Sequence, residues 1–291
     1  MSYFLAEATS HWVHNLDPFL IQFNDNFGIR WYGLSYLLGF LAAYLLWRMY
    51  YKKGHSPLAP EDQSNLITYI ILGVLIGGRL GYMFLYEAGR EDLVESLGNV
   101  FLVWKGGMAS HGGFLGVAVA VLLFARKYRF NHFLIGDLIS STAPAGLLFG
   151  RLANFINGEL WGKVTNVPWA VIFPDAKDGM PRHPSQLYEA AGEGLFLLLY
   201  VQHRVWRNKV MQEIPGQLTG EMLIGYSIAR ILCERYREPD FEEDLVWGMS
   251  KGQLYSLGLI AAGVVIIVLA RSRAARKLAA TGGPKPPSSD Q

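Results

Sequence analysis

The chain has 291 residues, of which 51% are hydrophobic and only 17% charged, too apolar for an ordinary soluble protein, so it reads as a polytopic membrane protein. The net charge of +2 comes from short basic clusters beside apolar runs and gives no case for a nucleic-acid partner. The single cysteine, Cys233, excludes an intramolecular disulfide and any CxxC metal or redox site.

Residues 1–29 contain no lysine or arginine and no stretch long enough to cross a bilayer. Met1 to Asn15 also lacks the basic start and apolar core of a cleavable signal peptide, so 1–29 is expected to be a periplasmic, interfacial lead-in. A crossing takes roughly 20 apolar residues. Seven stretches are candidates, about 31–50, 66–86, 112–126, 133–153, 187–204, 217–236 and 252–270, the third short and the fifth interrupted by Glu189 and Glu193.

Basic residues follow alternate spans: Arg48, Lys52 and Lys53; Arg126, Lys127 and Arg129; Arg204, Arg207 and Lys209; Arg271, Arg273, Arg276 and Lys277. Such ends belong on the cytoplasmic side, which puts the N-terminus outside and the C-terminus inside. The expected fold is therefore an all-α integral membrane protein, with seven transmembrane helices, a polar site on the periplasmic side and small periplasmic loops. Residues 30–273 would form the seven-helix membrane domain, and 274–291, ending in TGGPKPPSSDQ, a disordered cytoplasmic tail. Within the second span Gly73, Gly77 and Gly81 recur every four residues, a smooth strip for close helix packing.

The polar residues of the spans gather on one side. Tyr32 opens the first span, Arg79 lies near the end of the second, and His111 opens the third within GGMASHGG, where glycines let a ligand approach the backbone. The fourth span ends in a dense polar cluster, Arg151, Asn154, Asn157 and Glu159, just before Gly162. A guanidinium does not lose its proton, so Arg151 needs an anion or a watery cavity unless it merely snorkels to the interface. Arg79 has a structural reading too, as the partner of an acid such as Asp137 or Glu189. RHPSQLYE, 182–189, reads as a helix start with Ser185 or His183 as a cap. On the sixth span Tyr226, Arg230, Glu234 and Arg237 are spaced four, four and three apart and share one stripe. There an Arg230–Glu234 ion pair and direct ligand binding are both open, and they are compatible.

His111, of a residue type that titrates near neutral pH, is the candidate general base. No HExxH spacing occurs and the surroundings are rich in arginine, so neither a metal nor a cofactor is expected. Taken from the residues alone, the site suits an anion such as a phospholipid head group, with one histidine for proton transfer.

The chain resembles the bacterial phosphatidylglycerol:prolipoprotein diacylglyceryl transferases from about Asp17 to Arg271. The resemblance rests on RWYGLSY at 30–36, GGRLGY at 77–82, GGMASHGG at 106–113, GRLANFINGELWG at 150–162, RHPSQLYE at 182–189 and the GYSIAR to REPD stretch at 225–240. It implies an inner-membrane enzyme that moves the diacylglyceryl unit of phosphatidylglycerol onto the thiol of the lipobox cysteine in a preprolipoprotein signal peptide, releasing glycerol phosphate. It also implies that Arg151 binds phosphatidylglycerol and that His111, Arg230, Tyr32, Asn154 and Gly162 are essential. Ala109 and Ser110 replace the serine and phenylalanine common in the family's GGMSFHGG block.

The catalytic set expected is His111, Arg230 and Tyr32. The substrate-binding set is Arg151, Asn154, Asn157, Glu159, Gly162, Arg79, His183, Tyr226 and Glu234. The nucleophile would be the substrate's own sulfur, so no enzyme serine or cysteine is required. A thiol with a pKa of about 8.5 must lose its proton, and His111 is either that base or a positioning group. The alternatives are an anion or lipid transporter, and another phospholipid head-group transferase or phosphatase. A transporter would favour a midplane site between internal repeats, whereas this polar cluster is one-sided and the two halves of the chain show no repeat.

Overall fold

The structure, a computed structural model, describes residues 11–24, 27–84, 109–238, 245–246 and 249–280. In chain order, strands β1 (Trp12–Val13), β2 (Phe19–Asn24) and β3 (Phe27–Arg30) lead into helices α1 (Trp31–Lys52), α2 (Pro60–Tyr82), α3 (Ser110–Lys127), α4 (His132–Ser140) and α5 (Ala143–Ile156). Then come β4 (Val171–Ile172), β5 (Pro181–Arg182) and α6 (Ser185–Glu189), which a π-helical segment, Ala190–Phe196, joins to α7 (Leu197–Asn208). The short α8 (Val210–Glu213) precedes α9 (Gln217–Glu234), and strands β6 (Leu245–Val246) and β7 (Met249–Ser250) precede α10 (Lys251–Ala280).

Among the described residues helix thus occupies the seven stretches singled out above, but only Pro60–Tyr82, His132–Ile156 and Gly252–Ala280 are each long and apolar enough to cross a membrane. The second of these is broken. The helical pattern lapses at Ser141–Thr142, and Pro144, which lacks an N–H, sits in the first turn of α5, where that N–H would have no helical partner. Helix α2 starts earlier than expected, at Pro60, with Glu61 and Asp62 in its first turn facing the positive end of the helix dipole. It ends at Tyr82, and the last residues of the expected 66–86 span lie outside the described residues.

Two expectations are corrected. The chain is mostly helical but not all-α, because among the described residues strands of two to six residues pair in three small sheets. The two-residue strands among them are too short to imprint an alternating pattern on the sequence. In addition, α10 runs to Ala280, so the 274–291 segment begins as helix. Its Arg-Ala-Ala-Arg-Lys-Leu-Ala-Ala run from Arg273 consists of strong helix formers.

The chain divides into two compact units, Tyr44–Ile139 and the remainder, with the divisions falling inside α1 and α4. In the Tyr44–Ile139 unit, α2 and α3 pack through glycines. A Cβ placed on Gly73 would fall 2.7 Å from the Gly116 carbonyl oxygen, and one on Gly81 would fall 2.6 Å from the Gly112 Cα, so the glycine strip is a close-packing surface as expected. Trp47 Nε1 donates to the Leu138 carbonyl at 3.0 Å, and the buried Gln63 donates through Nε2 to the carbonyls of Trp47 and Leu58 at 3.0 and 2.7 Å. These bonds satisfy polar groups that water does not reach. On α3, Phe114, Leu115, Leu122 and Leu123 stay exposed, an apolar surface suited to acyl chains.

In the other unit β2 and β3 form an antiparallel hairpin ahead of α1, with Leu20, Ile21 and Phe23 exposed. Strand β4 joins β1 in parallel and β5 antiparallel. Helices α9 and α10 approach closely at Gly220 and Gly263, where a Cβ on the latter would lie 2.8 Å from the Gly220 carbonyl oxygen. Helix α5 packs against the π segment, and α9 packs against α6, the π segment and α7. These contacts hold the charged residues.

Candidate functional site

Helix α5 supplies Arg151, the α6–π run supplies Glu189 and Glu193, and α9 with the residues just beyond it supplies Arg230, Glu234 and Arg237. Arg151 Nη1 is 2.9 Å from Glu189 Oε2, while its Nε and Nη2 donate to Glu193 Oε2 at 3.2 and 3.0 Å. Arg230 Nη1 donates to Glu189 Oε1 at 2.8 Å and lies 3.5 Å from Glu193 Oε1, and its Nη2 lies 2.9 Å from Glu234 Oε2. Arg237 Nη1 reaches Glu189 Oε1 at 3.4 Å. Both side chains, Glu189 and Glu193, are 0% exposed.

Charges buried this deeply persist only when paired and hydrogen-bonded, since each loses several kcal/mol of hydration. The pairing is mutual: two carboxylates one turn apart hold arginines from two other elements in fixed orientations. The π segment follows Glu189 directly and contains Glu193, an irregularity that recurs at functional sites. Tyr226, one turn before Arg230, lies close enough to interact with both Arg151 and Arg230. Glu234 also accepts from Ser250 Oγ at 3.0 Å.

A second layer of bonds fixes the polar turn after α5. Asn154 and Asn157 both donate through Nδ2 to Glu159 Oε1, at 2.7 and 3.3 Å. Gly158 turns the chain at φ +68°, a conformation open to glycine, and the ring of His14 closes over it. His14 Nε2 lies 2.7 Å from the Phe155 carbonyl, which can only accept, so that nitrogen carries the proton.

The RHPSQ segment then clamps the loop. Ser185 Oγ donates to the Leu160 carbonyl at 3.0 Å, Gln186 Nε2 to the Glu159 carbonyl at 2.6 Å, and Arg182 Nη1 to the Gly162 carbonyl at 3.1 Å. Ser185 is therefore a loop tie and not the helix cap expected from sequence. Neither it nor His183 caps α6, whose N-cap residue is Pro184 with no side-chain cap bond.

Gly162 is threaded between two other backbone segments. Its N–H donates to the His183 carbonyl at 2.9 Å, and a Cβ there would fall 2.5 Å from the Tyr236 oxygen and 2.6 Å from the His183 oxygen. Gly162→Ala is expected to force these segments apart, lowering stability by roughly 1–3 kcal/mol and reducing activity with it. Thermal unfolding of the purified variant tests this, and a wild-type unfolding curve would refute it.

His183 stands beside this crossing, its Nδ1 3.1 Å from the Tyr188 hydroxyl, which in turn accepts from Trp169 Nε1 at 2.7 Å. Burial pushes the His183 imidazole below its ordinary pKa range, which favours the neutral ring.

The expected residues therefore fall into three groups. Arg151, Arg230, Glu234 and Tyr226 converge, and the Arg230–Glu234 pair read from the sequence is present. Asn154, Asn157, Glu159, Gly162 and His183 form the supporting turn. Tyr32 is 41% exposed at the start of α1, its hydroxyl accepting from Tyr36 at 3.3 Å, and shows no bond to the arginines. Arg79 and His111 belong to the Tyr44–Ile139 unit. Arg79 is buried, with its guanidinium 5.8 Å from the centre of the Tyr82 ring. His111 is the second residue of α3, and its side chain lies outside the described residues.

Glu189, Glu193 and Arg237 were not among the expected site residues. Two carboxylates inside an apolar span are themselves a signal, because they need cations from elsewhere. Cys233 is buried and forms no disulfide.

Helices apolar enough to cross a bilayer, around buried arginines held by carboxylates, define an integral membrane protein with a preorganised arginine–carboxylate centre. The profile of the Prolipoprotein diacylglyceryl transferase family matches residues 18–269, and the chain belongs to that family. Proteins named phosphatidylglycerol–prolipoprotein diacylglyceryl transferase are similar over most of their length. The one from Rhodospirillum rubrum is 43% identical over 92% of this chain and 96% of its own. That from Nitrosomonas europaea is 44% identical over 91% and 96%, and that from Bordetella bronchiseptica 44% over 85% and 93%.

Proposed function

We propose that the arginine–carboxylate cluster is the lipid-phosphate site of this membrane transferase, and that Arg151 and Arg230 act on the phosphate. The chain transfers the diacylglyceryl group of phosphatidylglycerol to a prolipoprotein. The acceptor in this proposal is the thiol of the lipobox cysteine in the signal peptide. Its sulfur attacks the diacylglyceryl carbon that carries the phosphate ester, a C–S bond forms as the C–O bond breaks, and glycerol phosphate leaves with the electron pair.

The observation that supports this reading is the convergence of Arg151, Arg230 and Arg237 on two fully buried carboxylates. Guanidinium forks match two phosphate oxygens, and in a water-poor setting they stabilise charge growing on the departing group. Asn154, Asn157, Glu159, Gly162 and Tyr226 keep that face in shape, and Glu234 orients Arg230. His183 and Arg79 are further substrate-binding residues. His111 takes the thiol proton and Tyr32 borders the reacting groups. Purified protein given phosphatidylglycerol is expected to release glycerol phosphate only when a lipobox peptide with a free cysteine is added. Release without the peptide would instead indicate a phospholipid hydrolase.

The proposed arrangement has seven spans in the bacterial inner membrane, formed by residues 30–273. Residues 1–29 lie at the periplasmic surface and the C-terminus in the cytoplasm. Reporter fusions after Lys53, Arg129, Lys209 and Lys277 are expected to score cytoplasmic, and a periplasmic score at any of the first three would break the arrangement.

A further inference from the structure

The lipid-phosphate reading leaves a question of charge. Among the described residues the centre of the cluster holds three guanidiniums, Arg151, Arg230 and Arg237, and three carboxylates, Glu189, Glu193 and Glu234, so it is balanced as built. Glu159, tied to Asn154 one turn beyond Arg151, adds a negative charge at the rim and supplies no surplus of cations. A phosphodiester brings one more negative charge. Leaving it unbalanced among groups removed from water is costly, and a proton on one carboxylate cancels it.

The geometry singles out which carboxylate. Glu189 lies against three arginines, accepting at Oε1 from Arg230 at 2.8 Å and Arg237 at 3.4 Å, with Arg151 2.9 Å from Oε2 as an ion pair. Glu193 depends on the Nε–Nη2 edge of Arg151, at 3.2 and 3.0 Å, and otherwise has only Arg230 at 3.5 Å. That edge is the part of a guanidinium that forks onto two oxygens of one anion. A phosphate that takes it leaves Glu193 fully buried with a single long contact. The other ionisable groups facing Glu193 do not replace the lost cation: Glu189 on its own helical run carries like charge, and Tyr226 and Cys233 on α9 are neutral when protonated.

Resting on the reading of the cluster as the phosphate site, we propose that Glu193 is a positioning residue that holds Arg151 until the lipid phosphate displaces it, and that it then takes up one proton from solvent. Lipid binding is thereby coupled to proton uptake. The ion balance closes, since one phosphodiester anion and one proton enter a neutral cluster and leave it neutral. The phosphodiester is too strong an acid to titrate near neutral pH, so the proton resides on the protein.

Short-chain phosphatidylglycerol titrated into the full-length protein in detergent micelles, across neutral pH and in two buffers of different ionisation enthalpy, tests the proposal. Wild-type affinity is expected to fall about tenfold for each unit rise in pH, the linkage of one proton taken up. The binding heat should differ between the two buffers accordingly. Glu193→Gln keeps the size and an acceptor oxygen but cannot ionise, so its affinity should be flat with pH, and Glu193→Asp should restore the slope. A structural role alone would change the affinity without removing the slope.

Wild-type binding with no pH slope and no buffer dependence would overturn the coupling while leaving the phosphate site intact. A slope that persists in Glu193→Gln would overturn the assignment to Glu193. Absence of any saturable phosphatidylglycerol binding would overturn the phosphate-site reading and this inference together. The buffer dependence of the wild type decides the coupling even where the variants fail to fold.

Discussion

Glu189→Ala is expected to lower stability by about 3–5 kcal/mol, the cost of removing one partner from a buried charge set. Glu189 is fully buried and is met by Arg151, Arg230 and Arg237. Without it three guanidiniums, from α5, α9 and the residues just beyond α9, face a gap, and each loses an ionic contact that water cannot replace. Glu193→Ala should cost less, because Glu193 holds Arg151 firmly but Arg230 only at 3.5 Å. Thermal unfolding of both variants in the same detergent checks the ranking. A Glu189→Ala protein as stable as wild type would show that the cluster does not hold α5, the α6–π run and α9 together.

Arg151→Lys is expected to fold and to lose most of its activity. The arginine uses Nη1 toward Glu189 and the Nε–Nη2 edge toward Glu193, two directions at once. An ammonium keeps the charge but is a single point, so it cannot hold one carboxylate while offering a fork to phosphate. Losing one charge-assisted hydrogen bond corresponds to roughly 1.5–3 kcal/mol, or about ten- to a hundredfold in lipid affinity. Arg230→Lys is more informative about timing. Arg230 already has Glu189 and Glu234 at 2.8 and 2.9 Å, so a lysine that only had to preserve ion pairs would leave activity largely intact. A contact that strengthens as charge develops on the leaving phosphate would lower kcat more than it weakens lipid binding.

The parts of this site that follow from local periodicity were readable in the sequence. Arg230 and Glu234 are one turn apart on one helix, and their pairing needs no knowledge of the fold. Arg151 was conspicuous because a permanent cation ends an almost uncharged run. The fourth stretch, by contrast, was expected as one span over 133–153 and instead breaks into α4 and α5. What stayed hidden depends on contacts between distant segments.

Glu189 and Glu193 looked like interruptions of a span, whereas each is a counter-ion for an arginine on another helix. Nothing within their own stretch names Arg151 or Arg230. The tie from Ser185 to the Leu160 carbonyl is of the same kind: serine before an apolar run is a common cap, and only the neighbouring loop diverts its hydroxyl. Strands such as β4 and β5, two residues each, arise from backbone segments laid side by side and leave no period to detect. His14 illustrates the reverse case. In a lead-in expected only to lie at the membrane surface, it is buried and bonded to the end of the helix that carries Arg151.

The most direct test of the arginine cluster as the phosphate site is a comparison of wild type, Arg151→Lys and Arg230→Lys as purified enzymes, with phosphatidylglycerol and a lipobox peptide as substrates and glycerol phosphate release as the readout. The expected result is a loss of lipid affinity and turnover in Arg151→Lys, and in Arg230→Lys a fall in kcat that exceeds any change in lipid affinity. Wild-type kinetics in both lysine variants would contradict the role assigned to these arginines.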